Sequence, residues 1–210
     1  MSPTLIALTL LRHGRSRADD EGVYEGRYDS PLTAVGEAQA YRRAREWKET
    51  GFTFDRVIAS TLQRARRTAE IVCEVLNLPL EVSDLWMETN TGGLAGLTPQ
   101  EAERLYPRPA FRNPYESITP TGESEWQVFL RAAGALEEVI RRGAPRTLVV
   151  AHGGILSMTL RAICGVPPWG NRQGVAFHFG DLGFARTAYD PQANVWHFFE
   201  LRHGLDEPSS

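Results

Sequence analysis

Leu5-Ile6-Ala7-Leu8-Thr9-Leu10-Leu11-Arg12-His13-Gly14-Arg15-Ser16 is the stretch on which the fold turns. An apolar run over Leu5–Leu11 stops abruptly at Arg-His-Gly and a polar loop. That profile describes a buried strand delivering an imidazole and a guanidinium to the edge of a sheet. Histidine is a nucleophile and arginine grips phosphate oxygens in a fork, so the pair points to phosphoryl chemistry. The triplet recurs as Arg202-His203-Gly204, in a tail with no companion motif, and there it reads as incidental.

Outward from this strand, Thr33 is placed to cap a helix over Ala34–Thr50 that Gly51 stops. Asp55–Ala59 reads as a second strand. Ser60 or Thr61 opens a helix with Leu62, Ala65, Ala69, Val72, Cys73 and Leu76 on one face. Leu78–Val82 reads as a third strand. Residues 84–120 are irregular, rich in Gly, Pro and Thr, with one short helix near Pro99–Tyr106. A long helix is expected from Thr121 to Arg142, then a fully apolar strand over Thr147–Ala151, and a helix over Ile155–Ile163. From Gly174 the pattern alternates at Val175, Phe177 and Phe179, then over Phe184–Tyr189 and Val195–Leu201, as in an antiparallel closing portion.

Strands alternating with helices imply an α/β fold, a three-layer sandwich around a mainly parallel sheet. The 84–120 segment forms a small cap within one domain spanning 1–210. With 42% hydrophobic and 23% charged residues, the composition is that of an ordinary globular protein. A net charge of −3 argues against a nucleic-acid partner and against a membrane surface. No stretch resembles a signal peptide or a membrane span, so a cytoplasmic location is expected. Cys73 and Cys164 fall in apolar helical patterns and read as reduced core residues, and no Cys/His cluster has zinc-ligand spacing.

The strong strands end at Arg12-His13-Gly14, at Ser60, and at His152-Gly153-Gly154, with Arg64 four residues after Ser60. In an open parallel sheet the carboxyl ends of the strands face the binding crevice. Two histidines and two arginines can therefore converge beside a helix N-terminus, which itself favours anions.

Several further segments share one resemblance. Leu11-Arg12-His13-Gly14 with Leu32-Thr33-x-x-Gly36-x-x-Gln39-Ala40 resembles the histidine phosphatase superfamily, which includes the cofactor-dependent phosphoglycerate mutases. Ser60-x-Leu62-x-Arg64-Ala65-x-x-Thr68-Ala69 is similar to its second signature. Leu85-x-x-Glu88 with Gly92 and Gly96-Leu97-Thr98 resembles its acid-bearing segment, and Gly122-Glu123-Ser124 and Val150-Ala151-His152-Gly153-Gly154 its later ones.

The resemblance implies a phosphoglycerate mutase-like fold and a set of roles. His13 attacks phosphorus, Arg12, Arg64 and His152 hold the phosphoryl oxygens, and Glu88 moves the proton. Ser16, Gly26 and Gly153 complete the phosphate site. Two nearby arginines favour neutral His13, and arginine with imidazolium supplies the charge, so no metal or other cofactor is implied. The partner is a small phosphomonoester, and the oligomeric state is not legible.

Asp19 stands where the family often has an asparagine that binds phosphate, and its carboxylate repels phosphate unless protonated or turned away. Arg15 stands where many members have Glu, and Ala95 where a Glu is usual. Arg66 and Arg67 read as a solvated helix face, and His178 and His197 as packing or surface residues.

Glu88 is followed by Thr89-Asn90-Thr91-Gly92 in place of the Arg, His, Tyr and Gly of the mutase branch, and Arg104, Arg108 and Arg112 are not adjacent. Hydrolysis is therefore expected over the mutase reaction. Intact His13, Arg64, Glu88 and His152 argue against an idle protein-binding member. Trp86, Leu94, Phe111 and Tyr115 are candidates to line a partly apolar substrate pocket, or else to fill the cap's own core. Specificity is expected to lie in 84–120 and around Trp169–Arg172.

Overall fold

A computed structural model describes residues 5–205; the Glu-Pro-Ser-Ser tail lies outside them. Among the described residues six strands form one sheet: β1 (Ile6–Arg12), β2 (Arg56–Ala59), β3 (Leu80–Val82), β4 (Arg146–Ala151), β5 (Phe184–Asp190) and β6 (Val195–Arg202), in the order β3-β2-β4-β1-β5-β6. β1 runs parallel to β4, and β2 parallel to both β4 and β3; β5 and β6 are antiparallel. The sheet is thus mainly parallel, with an antiparallel edge.

Apolar residues fill β4 because both of its faces are covered. Val149 and Ala151 face one cluster, with Leu8, Leu10 and Ile58, against helices α5 (Glu125–Arg142) and α6 (Gly153–Ile163). Leu148 and Val150 face the other, with Leu11, Val57 and Ala59, against α2 (Ala34–Glu49) and α3 (Gln63–Leu76). Leu10, Leu11, Val149 and Val150 are fully buried, each worth about 1.5–3 kcal/mol over exposure. These are the three expected layers. Helices α1 (Arg17–Glu21) and α4 (Pro99–Leu105), with 3-10 turns at Asp84–Trp86 and Gly92–Leu94, occupy the loops above the sheet.

Four expectations need correction. The long helix begins at Glu125, because Ser124 and Gln127 form a capping box that fixes its start. The third strand is shorter than Leu78–Val82, running only from Leu80. Val175–Phe179 alternates but forms no strand: the Phe177 N–H donates to the Ser157 hydroxyl, and the Phe179 carbonyl accepts from Arg12. Side chains, not a neighbouring strand, satisfy that backbone. Cys73 is buried as expected, but Cys164 is exposed where the chain leaves α6.

Candidate active site

Parallel register brings the ends of β1, β2 and β4 side by side. The His13 N–H donates to the Ala151 carbonyl at 3.0 Å, and the Ser60 N–H to the Val150 carbonyl at 3.0 Å. His13 and His152 follow directly, with ring centroids 5.1 Å apart, and neither ring is exposed.

His13 Nδ1 lies 2.7 Å from the Gly14 carbonyl oxygen. A carbonyl can only accept, so Nδ1 carries the hydrogen and Nε2 keeps its lone pair. Nε2 faces Arg64, whose Nε lies 3.2 Å away. Arg64 sits in the first turn of α3 with no exposure. Its other two nitrogens donate to the carbonyls of Tyr28 and Gly26, both at 2.9 Å. The guanidinium therefore holds the 26–28 loop and the nucleophile candidate together.

Neighbouring motif residues serve this geometry. The Gly14 N–H donates to the Thr68 hydroxyl and the Arg15 N–H to Gln39. Gly36 lies so close to the Arg15 backbone that a Cβ there would collide with it.

His152 Nε2 is 2.8 Å from the Ser60 hydroxyl, which accepts from the Leu62 N–H. A Ser60 hydroxyl donating to Nε2 leaves the ring hydrogen on Nδ1, which is buried without a protein partner. Burial, then the charge of Arg64, pushes the His152 pKa well below its ordinary value. That shift favours the neutral ring, in which His152 still donates, and leaves the fixed positive charge to arginine.

Glu88 lies across the N-terminus of α6. One oxygen accepts from Thr89 N–H (2.7 Å) and Ile155 N–H (3.0 Å), the other from Gly154 N–H (2.8 Å). A carboxylate offers about four lone-pair positions, so one is left for a proton. Gly153, the first residue of α6, joins His152 to Gly154. A Cβ on Gly154 would collide with the Glu88 carboxylate, which explains the second glycine.

Arg12, at the end of β1, donates to the Phe179 carbonyl at 2.9 Å and to Asp19 at 3.3 Å. The Asp19 carboxylate also accepts from the Ser16 N–H, closing a capping box on α1. It orients Arg12 and stands turned into the helix cap. Arg15 pairs with Asp20, while Arg66 and Arg67 pair with Glu70 and Glu37, as surface groups. Among the described residues, no cluster of His, Cys, Asp or Glu has the makings of a metal site, and no helix is long and apolar enough to cross a membrane.

Three participants were given no task by the sequence. Arg131, on α5, donates to the carbonyls of Leu85, Met87 and Glu88. Glu123 pairs with it in a two-bond fork and accepts the Asn90 N–H. Together they clasp the strand of chain that bears Glu88. The Gly122-Glu123-Ser124 motif marked one of them without giving its task; Arg131 carried no signal beyond its helix position. The third, Glu25, lies 3.6 Å from His13 Nε2 and 3.3 Å from Arg64 Nε.

The sequence matches the family described as Histidine phosphatase superfamily (branch 1) over residues 8–197. The chain belongs to the histidine phosphatase superfamily. It is 34% identical over 199 residues to a protein of Escherichia coli named probable phosphoglycerate mutase GpmB, covering 91% of this chain and 88% of that one. Its fold matches YhfR of Bacillus stearothermophilus with a TM-score of 0.80 at 24% identity, covering 95% and 98% of the two chains. It matches a putative alpha-ribazole-5'-P phosphatase of Escherichia coli at 0.79 and 22%, covering 94% and 96%. A mycobacterial glucosyl-3-phosphoglycerate phosphatase matches at 0.78 and 21%, covering 94% and 99%.

Beside the Glu88 segment opens a cavity of about 360 Å³ lined by Tyr24, Thr89, Asn90, Tyr106, Arg108 and Arg172, among others. Of the four residues expected to line it, Leu94 alone does so. Trp86 is buried in the main core, because its 3-10 turn packs on α5. Phe111 and Tyr115 are exposed, Tyr115 stacked on Trp126. The pocket is partly apolar, as expected, but Leu94, Ala102, Pro109 and Ile118 give it that character, not Trp86, Phe111 and Tyr115. Asn171 exchanges hydrogen bonds with Arg112 and so joins the 169–172 loop to the cap.

Proposed function

We propose that this enzyme hydrolyses phosphomonoesters through a phosphohistidine on His13. The observation that carries the reading is the hydrogen bond from His13 Nδ1 to Gly14, which leaves Nε2 as a lone pair facing Arg64. In the first step Nε2 bonds to phosphorus and the ester P–O bond breaks. Glu88 delivers a proton to the departing oxygen. In the second, water attacks the phosphohistidine and loses its proton to Glu88, freeing phosphate and restoring His13. Arg12 and Arg64 offset the charge on the phosphoryl oxygens, and His152 Nδ1–H donates to one of them. Ser16, Gly26 and Gly153 line this site.

The cavity, partly apolar and with Tyr24, Asn90 and Tyr106 in its wall, suits a leaving group larger than glycerate. Two fold neighbours bear the names of phosphatases for esters of that kind, alpha-ribazole-5'-P and glucosyl-3-phosphoglycerate. A second reading, phosphoglycerate mutase, is favoured by the name of the 34%-identical relative. Against it stands Thr89-Asn90-Thr91 after the acid, where the mutase branch has Arg, His and Tyr; the arginines of this cavity, Arg108, Arg112 and Arg172, come from other segments.

Product analysis separates the two. Purified protein given a phosphomonoester panel should release inorganic phosphate, at a rate unchanged by chelator. With 3-phosphoglycerate and its bisphosphate it should give no 2-phosphoglycerate. Isomerisation faster than phosphate release would select the mutase reading, and a large loss with chelator would contradict the metal-free step.

A further inference from the structure

Glu25 stands where a phosphoryl group has to stand. One carboxylate oxygen is 3.6 Å from His13 Nε2; the other is 3.3 Å from Arg64 Nε and accepts the Ser16 hydroxyl at 2.5 Å. These are three of the groups assigned above to phosphate. A phosphorus atom about to be attacked lies about 3–3.5 Å from its nucleophile. Carboxylate and phosphoryl group therefore exclude each other.

The backbone around Glu25 is fixed. The Tyr24 N–H donates to the Leu97 carbonyl and the Gly96 N–H to the Tyr24 carbonyl, while Arg64 holds the carbonyls of Gly26 and Tyr28. Only the side chain is free to leave. Burial opposes its charge, but the Arg64 guanidinium and the Ser16 hydroxyl, joined by His13 whenever that ring is protonated, hold the carboxyl well below the usual range. It is an anion at neutral pH.

We propose that Glu25 is an internal competitor for the phosphoryl site, seated there in the free enzyme and rotated out when a phosphate ester binds. Glu25 thereby sets affinity for the phosphoryl group itself. The consequence is selectivity. Inorganic phosphate, which has only the phosphoryl contacts, is disfavoured, whereas an ester recovers affinity through its leaving group in the adjoining cavity. The proposal rests on the phosphatase reading of this site.

The test is calorimetric titration of inorganic phosphate and orthovanadate into wild type, Glu25→Gln and Glu25→Asp, with thermal melts confirming folding. Glu25→Gln should bind both anions about tenfold more tightly, the factor expected if the wild-type site is open in about one molecule in ten. Glu25→Asp, whose shorter carboxylate draws back from His13, should shift the same way by less, and it decides the matter if Glu25→Gln does not fold. KM for an aryl phosphate should fall with little change in kcat. Unchanged or weaker binding in both variants would overturn the proposal, making Glu25 a scaffold for Ser16 and Arg64. Folded protein that binds phosphate in no variant would overturn the phosphoryl site itself.

Discussion

The rim at the ends of β1, β2 and β4 and the 84–120 segment above it are built on opposite principles. At the rim, His13, Arg64, Ser60 and His152 are fully buried, and sheet register dictates their spacing. In the cap, Arg108 and Tyr115 are largely exposed, and 3-10 turns and one short helix connect through side-chain hydrogen bonds. The difference separates chemistry from choice. A reaction that every phosphate ester shares is held by the core, whereas the feature that distinguishes one ester from another sits where sequence can vary without harming the core. Glu88 joins the two, since its residue lies in the irregular segment and its carboxylate on the N-terminus of α6.

The largest effect that would break this contrast belongs to the rim. Arg64→Ala removes the group that holds Gly26, Tyr28 and the face of His13 at once, and kcat/KM for any phosphomonoester should fall by about 10²–10³. A loss confined to one substrate would contradict a rim indifferent to the leaving group. At the junction, Glu88→Gln should slow alkyl phosphates far more than aryl phosphates, whose leaving groups need less protonation. Gly154→Ala, by displacing the same carboxylate, should show the same pattern at about 10–100-fold on the alkyl substrates. Equal losses on both substrate types would remove Glu88 from the proton-transfer role.

In the cap, Arg108→Ala touches a side chain whose ion partner is the exposed Glu103. It should raise KM several-fold for esters with an anionic leaving group, with kcat, the aryl phosphate rate and the melting temperature unchanged. A fall in kcat on every substrate would tie the cap to the chemistry.

The smallest effect concerns acid. His152 has its pKa lowered by folding, so the unfolded chain takes up a proton that the native ring refuses. Its contribution to stability is full above the unfolded value of about 6.5 and declines as pH falls below it. Melting temperatures between pH 8 and pH 5 should fall across that window, and the fall should shrink in His152→Asn. A decline no smaller in His152→Asn would show that other groups carry it.

What the sequence disclosed divides along the same line. His13, Arg64 and His152 were legible because each follows or abuts an apolar strand, and strand ends converge by topology alone. Gly14, Gly36, Gln39 and Thr68 were recognisable as motif positions, and the structure adds why: each closes a contact around the Arg12–Ser16 turn. Glu25 was not legible. A carboxylate is the last side chain expected in an anion site, and only its place beside Gly26 marked it. Arg131 escaped because a helix-borne arginine is ordinarily solvated, and nothing local reveals that three carbonyls from another segment wait opposite it. Val175–Phe179 misled because alternation reports which side is buried, not which partner takes the backbone hydrogen bonds.

The central claim is that His13 carries the phosphoryl group. Rapid denaturation of the enzyme during turnover of an aryl phosphate, followed by peptide mass spectrometry at neutral or alkaline pH, tests it most directly. The account predicts one acid-labile phosphoryl adduct on the His13 peptide, absent with His13→Ala, whose turnover should fall to background. An adduct on another residue, or full activity in His13→Ala, would contradict it.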